Sequence, residues 1–182
     1  MQNDKLILVD FEDRIIGTSE KLEAHKKHLL HRAFSVFLYD GDCMLIQQRA
    51  AGKYHSGGKW ANTCCSHPRD GETCEEAVHR RLREEVGMDC AVEELFSFIC
   101  YAPFDDGLAE YELDHVFLGE YSGEVSPDPE EIAAVRRVQI DALEEDMRRN
   151  PADYAAWFHI AAPRVIAHLR EKGAAHEPDF FK

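Results

Sequence analysis

The side chains best equipped for chemistry fall in three short stretches of the chain. The first, residues 72–88, carries Glu72, Arg80, Arg81, Glu84 and Glu85, with apolar Leu82, Val86 and Met88 among them. Carboxylates that share one face of a helix can hold a divalent cation against a diphosphate. The plainer alternative is a solvated, heavily charged helix. The second stretch is Glu110-Tyr111-Glu112. On a strand, that spacing puts both carboxylates on one face. The third is the adjacent thiol pair Cys64-Cys65, followed by Ser66-His67-Pro68. Such a pair is ordinarily just two half-buried strand residues.

The surrounding sequence indicates the elements that must position these groups. Thr73 and Glu76 have capping-box spacing, so a helix is expected to start there, and Gly87 is expected to end it as a C′ residue. Short strands are expected over 5–9 and from 15, on either side of a turn at 11–14. Residues 32–39 (RAFSVFLY) read as a strand, Asp40-Gly41-Asp42 as a hairpin turn and 43–48 as the returning strand. Residues 50–62, rich in Gly and polar groups, read as a long loop. Further strands are expected near 95–101, 113–121 and 135–140. Asp141 and Glu144 repeat the capping-box spacing for a short helix. Asn150-Pro151 has N-cap-then-Pro order for a second helix, which Pro163 is expected to kink or divide. Its buried face is expected to carry Trp157, Ile160, Val165, Ile166 and Leu169. Hairpin signals with few helices indicate an α/β or α+β sandwich rather than a bundle.

Composition limits the function. Among 182 residues, 21 Lys+Arg stand against 35 Asp+Glu, a formal net charge of −14. That acidity argues against a general nucleic-acid binder. No apolar run approaches the roughly 20 residues of a membrane helix. The acid-containing N-terminus, MQNDKLILVDFEDR, lacks the pattern of an export signal, so a cytoplasmic location is expected. The length suits one domain over 1–182, with a core over about 30–145 and a helical segment over about 150–172. Six cysteines without a C-x-x-C pair argue against a zinc ribbon, and they are expected to remain thiols.

Two resemblances rest on these motifs. Residues 72–88 resemble the Nudix box, G-x5-E-x7-R-E-U-x-E-E-x-G-U, where U is bulky and aliphatic. Glu72, Arg80, Leu82, Glu84, Glu85, Gly87 and Met88 match it. Ser66 stands where the box opens with Gly, and Arg81 stands where it has Glu. Hydrolases of that superfamily use the missing Glu among their metal ligands and base candidates. An arginine there keeps a diphosphate-binding charge but removes a group that water activation draws on. The stretch Asn62-Thr63-Cys64-Cys65-Ser66-His67-Pro68 narrows the resemblance, since it is similar to the N-[TS]-x-C-[CSG]-H-P segment of type I isopentenyl-diphosphate isomerases, which are Nudix-fold enzymes. Four other segments agree: Lys21-x3-His25 followed by His31-Arg32-Ala33-Phe34-Ser35; Gln48-Arg49-Ala50-x2-Lys53; Glu110-Tyr111-Glu112-Leu113-Asp114; and Ala156-Trp157-Phe158, with Ala156 where Pro is common.

This resemblance implies a Nudix-type mixed β-sheet sandwich flanked by helices, with an N-terminal strand extension and C-terminal helices. The implied activity is interconversion of isopentenyl and dimethylallyl diphosphate. His25, His31, His67, Glu110 and Glu112 would hold a first divalent ion; three imidazoles and two carboxylates suit Mn²⁺, Zn²⁺ or Mg²⁺ in a roughly octahedral shell. A Mg²⁺ with the diphosphate is implied at Glu85 and the Cys65 carbonyl. Lys21, Arg49, Lys53, Ser66 and Arg81 are the implied diphosphate contacts. Protonating an isolated alkene makes a tertiary carbocation, so an aromatic face is wanted: Trp157 is the candidate and Trp60 its local competitor.

The shift also needs two proton-transfer groups across a narrow pocket. Cys65 and Glu112 fit, with Tyr101 expected in hydrogen-bonding reach of Glu112. The working assignment has the Glu112–Tyr101 pair protonate and the Cys65 thiolate accept. Cys64 is read as packing, and His28, His55, His79, His115, His159, His168 and His176 as structural. The expected partner is a small diphosphate, with no nucleic acid and no membrane, and the expected state is a monomer or at most a weak dimer. Oxidation of Cys65 together with Cys64 would silence such an enzyme. Two alternatives compete. A Nudix hydrolase of a nucleoside-diphosphate-type substrate would want Glu at 81. A non-catalytic metal-binding module would lack Cys65, Glu112 or one of the histidines.

Overall fold

The computed structural model describes residues 5–53, 56–104 and 107–174. Strand β3 (His31–Asp40) is the hub of a nine-stranded mixed sheet. The apolar run of this strand, buried on both faces, explains its central place. Along its whole length it pairs in parallel with β8 (Ala109–Glu120), from His31↔Glu112 to Tyr39↔Glu120. Its other side is shared. β1 (Lys5–Val9) meets it at His31, β6 (Cys64–Ser66) meets it over Phe34 to Val36, and β4 (Cys43–Arg49) closes the Asp40-Gly41-Asp42 hairpin. β7 (Glu93–Pro103) lies antiparallel to β8, and β9 (Ile132–Gln139) antiparallel to β4. β2 (Ile15–Glu20) completes an N-terminal hairpin with β1. This is the mixed sheet flanked by helices, with an N-terminal strand extension, that the motifs imply.

The strict alternation of a strand divides β3 between two cores. Phe34, Val36 and Leu38 face α2 (Cys74–Arg81) in a cluster with Ala77, Val78 and Leu82. Phe37 faces the opposite side, packed with Trp157, Phe158 and Ala161 of α4 (Ala156–Ala174). The two adjacent thiols part in the same way. Cys64 is fully buried on the α2 side, whereas Cys65 packs on the α4 side. The packing reading of Cys64 agrees with this.

Helix α2 begins on a complete capping box: Glu76 N–H donates to Thr73 Oγ1 (3.2 Å), and Thr73 N–H donates to Glu76 Oε2 (2.9 Å). It continues into a π turn, Leu82–Val86, and ends at Gly87 with φ 71°. A Cβ at position 87 would meet the Ser126 carbonyl at 2.4 Å, so the turn requires glycine on two counts. The widened turn brings Glu85 to a buried position, and π turns of this sort gather at functional sites.

Several expectations need correction. Residues 50–62 are not all loop, because Trp60–Ala61 forms a short strand, β5, against β4. The N-terminal extension also contains a helix, α1 (Lys21–Lys26), which the sequence signals do not mark. Asp141 and Glu144 make no capping box. Helix α3 (Ile140–Arg149) has its N-cap at Gln139, two residues before Asp141, and both acids instead pair with Arg170 of α4 (2.7 and 2.6 Å). Asn150-Pro151 opens a 3₁₀ turn, Pro151–Asp153, and α4 starts only at Ala156. That helix runs on through Pro163. Ile160 is 42% exposed and belongs to the outer face. No described helix is long and apolar enough to cross a membrane.

Candidate active site

A cavity of about 600 Å³ lies between the sheet, the end of α2 with its π turn, and Trp157 of α4. Its floor is set by register. In the parallel pair β3–β8, Ala33 sits opposite Asp114 and His31 opposite Glu112. In the antiparallel pair β3–β6, Ser35 sits opposite Cys65. Side chains paired in this way point to one face, so Cys65, Ser35, Asp114, Glu112 and Glu110 line one surface. Lys21, Arg49, Lys53, Ser66, Arg81, Glu85, His67 and Trp157 complete the walls.

His25, His31, His67 and Glu112 offer ligand atoms that all lie within 4.8 Å of one another. The ring centroids of His31 lie 5.0 Å from His25 and 5.1 Å from His67. His25 comes from the short helix α1, His31 from the start of β3, His67 from the segment after β6 and Glu112 from β8. Nδ1 of His25 donates to the Lys21 carbonyl (2.6 Å), and Nδ1 of His31 to the Leu29 carbonyl (2.8 Å). With Nδ1 as donor in a neutral ring, Nε2 keeps its lone pair toward the cluster, the arrangement of metal-binding imidazoles. Burial disfavours the charged form of two of the rings: it lowers His25 to about 4 and His67 to about 3, although the Glu112 hydrogen bond pulls His67 the other way. The donor set therefore fits a divalent ion. Glu110 faces the same cavity, two residues from Glu112 on β8, but stands outside the four-residue cluster.

The two carboxylates of the Glu-x-Glu pair differ. Burial pushes Glu112 up, but the adjacent His31 (3.6 Å) and the His67 hydrogen bond (2.8 Å) bring it well below the usual range. Burial and the charge on Glu112 push Glu110 well above it. One of the pair thus carries the charge and the other the proton. Asp114 is raised too, by burial and by Glu112, and accepts the Ser35 hydroxyl at 2.8 Å. Ser35 and Asp114 fall within the quoted motif segments but carry no assigned site role there; the two-residue spacing from Glu112 is the signal that could have found Asp114.

Cys65 lies against Arg49, whose Nη1 is 3.3 Å from the sulfur. Burial pushes the thiol up to about 12 despite that guanidinium. That shift favours the protonated thiol. Arg49 also sits 5.2 Å from the Trp157 ring centroid. Trp157 itself is buried, donates Nε1–H to Asn62 Oδ1 at 3.0 Å, which anchors the ring, and lines the cavity. Trp60 packs under Arg136 at 4.2 Å and is absent from the cavity wall, so it does not compete with Trp157.

At the other end, Arg81 bonds Glu85 (2.7 Å from Nε) and Glu84 (2.9 Å). Glu72 is taken by Arg80 through two bonds of 2.7 Å, so it braces the helix rather than facing the cavity. Lys53 pairs with Glu131, a residue the motifs do not single out.

Tyr101 needs correction. Antiparallel register places Tyr101 opposite Tyr111, and Cys100 opposite Glu112. Tyr101 is on the other face, 53% exposed, and its hydroxyl is 3.2 Å from His28 Nδ1. The buried neighbour of Glu112 on β7 is Cys100. Replacing Tyr101 by Phe is expected to change kcat by less than about twofold in a steady-state assay; a hundredfold fall would return the hydroxyl to the chemistry. His28 is Tyr101's partner, His79 pairs with Asp89, His115 with Asp13 and Glu94, and His159 with the Pro151 carbonyl, all in structural roles. His55 and His176 lie outside the described residues.

A hydrophobic mixed sheet, an acid-rich helix with a π turn and a cationic cavity beside it define a class, and residues 29–158 match the NUDIX domain family. Among solved structures, a Deinococcus radiodurans protein superposes with a TM-score of 0.71, 19% identity, and coverage of 88% of this chain and 98% of that one, which shows the shared fold. Closer in sequence are two bacterial proteins. The isopentenyl-diphosphate Delta-isomerase 2 of Aromatoleum aromaticum is 44% identical over 94% of this chain and 91% of its own length. The isopentenyl-diphosphate Delta-isomerase of Burkholderia multivorans is 46% identical over 89% and 93%. The chain belongs to the isopentenyl-diphosphate Delta-isomerase family.

Proposed function

We propose that this chain interconverts isopentenyl and dimethylallyl diphosphate, with Cys65 and Glu112 as its two proton-transfer groups. The observation that supports this most is their placement. A thiol and a carboxylate line the same cavity, at whose other end Lys53 and Arg81 can take a diphosphate. The reaction adds a proton to the terminal alkene carbon and removes one from the carbon two positions away. One group gives and the other takes; in the reverse direction their roles exchange. A buried thiol kept protonated and a carboxylate kept ionised meet that need without water.

Trp157 offers its face to the tertiary cation between the two transfers, an interaction worth about 2 kcal/mol or more when desolvated. Arg49 bridges Trp157 and Cys65, so it aligns the reacting end as well as adding charge. His25, His31, His67 and Glu112 would hold one divalent ion, with Glu110 beside them. Glu85 would face Mg²⁺ brought with the diphosphate. A bound divalent ion supplies positive charge that fixes the Glu112 carboxylate and offsets that of the diphosphate. Arg81 stands where a hydrolase of this superfamily would have a Glu, so the chain lacks a group that water activation draws on, which disfavours a hydrolase reading.

The test is incubation with isopentenyl diphosphate and Mg²⁺ in deuterated water, followed by NMR of the product. Dimethylallyl diphosphate carrying deuterium is expected. No isomer and no deuterium uptake would refute the proposal, and release of phosphate from nucleotides would favour the hydrolase.

A further inference from the structure

The cations at the diphosphate end are already occupied. Glu131 forms an ion pair with Lys53 through Oε2 and reaches Arg81 at 3.3 Å through Oε1. Arg81 is held by Glu84 and Glu85 as well. Glu131 is not a loose surface acid. Its carbonyl accepts from the Ala50 N–H (3.0 Å) and its own N–H donates to the Asp128 carbonyl (3.0 Å), which fixes it where β9 begins beside β4. Its side chain lies on the cavity wall, only 25% exposed.

From this arrangement we infer that Glu131 makes diphosphate binding depend on a divalent cation, and so acts as a specificity-determining residue. The inference rests on the reading of this cavity as a diphosphate site. A bare anion must separate Lys53 and Arg81 from Glu131 and Glu85. It then leaves two carboxylates, one of them buried, beside its own negative charge. Like charges repel strongly at such distances in a part-buried site. An anion that arrives with a divalent ion replaces the positive charge the two acids lose. A monophosphate, with less charge and weaker chelation, has neither advantage. Glu131 thereby selects for a metal-chelated diphosphate and against bare or singly phosphorylated ligands.

The experiment is calorimetric titration of the full chain with inorganic pyrophosphate, with Mg²⁺ present or withheld, for the wild type, Glu131→Gln and Glu131→Ala. Mg²⁺ is expected to tighten binding to the wild type steeply. In both variants that gap is expected to shrink by about tenfold, within the usual range of couplings, chiefly because binding without Mg²⁺ improves. An unchanged gap in both variants overturns the inference. So does weaker binding under both conditions, which would mean that Glu131 merely holds Lys53 and Arg81 in place. Failure of the wild type to bind pyrophosphate with Mg²⁺ would instead remove the diphosphate reading, and this inference with it.

Discussion

Cys65→Ala is expected to lower kcat by about 10²–10⁴-fold, the usual weight of a proton-transfer group, and to leave pyrophosphate binding nearly unchanged. The split follows from geometry. The sulfur lies beside Arg49, and Arg49 beside the Trp157 ring, at the reacting end. Lys53 and Arg81, which take the diphosphate, are held by Glu84, Glu85 and Glu131 and make no bond to that sulfur. Cys64→Ala is the matched control. Its sulfur is buried in the other core with Phe34, Val36 and Leu82, so its loss should cost stability, about 1 kcal/mol, and little activity. Steady-state kinetics with thermal melts separates the two. Full activity in Cys65→Ala would sink the assignment, as would a dead Cys64→Ala that still melts normally.

Glu112→Gln should act on two readouts at once. The carboxylate is the one anionic member of the four-residue cluster, and it joins His67 to His31. An amide keeps the shape but loses the charge that attracts a divalent ion and that the histidine hydrogen bonds stabilise. Metal retained after gel filtration, measured by elemental analysis, is expected to fall to a small fraction of the wild-type content. The kcat should drop about 10²–10⁴-fold even with excess metal, because the proton-transfer group is gone as well. Stripping the wild type with a chelator should also abolish activity, and adding metal back should restore it; the variant should not be rescued. A Gln variant that keeps both its metal and its turnover would refute the dual role.

Much of this site is legible in the chain because its parts are local. The capping box at Thr73, the glycine stop at 87 and the Glu110–Glu112 alternation are each decided within a few residues, so the spacing alone carries them. What depends on pairing between distant strands is not legible. Tyr101 illustrates this. Nine residues separate it from Glu110 across a hairpin connection, and the face a side chain takes there follows from register. Register puts Cys100 rather than Tyr101 opposite Glu112. Helix α1 was hidden for a related reason. Six residues are too few for a periodic pattern, and its Ala24 and His25 are buried by the sheet rather than by helical propensity. Asp141 and Glu144 look like a cap because the long-range competitor, Arg170, comes from another helix. Glu131 has no motif at all; its importance lies in which cations it meets.

The division of β3 between two cores has a consequence for how this chain can vary. In its central stretch Val36 and Leu38 pack on the α2 side, Phe34 packs there and also reaches the cavity wall, Ala33 and Ser35 line the cavity, and His31 joins the four-residue cluster with Glu112. Packing and chemistry are therefore interleaved residue by residue along one strand. The hydrophobic side can drift among aliphatic and aromatic side chains of similar volume without disturbing the floor. The other side can be retuned for a different alkenyl chain without unmaking the fold. Neighbours in sequence meet different surroundings, and the adjacent thiols Cys64 and Cys65 are the shortest example of that independence.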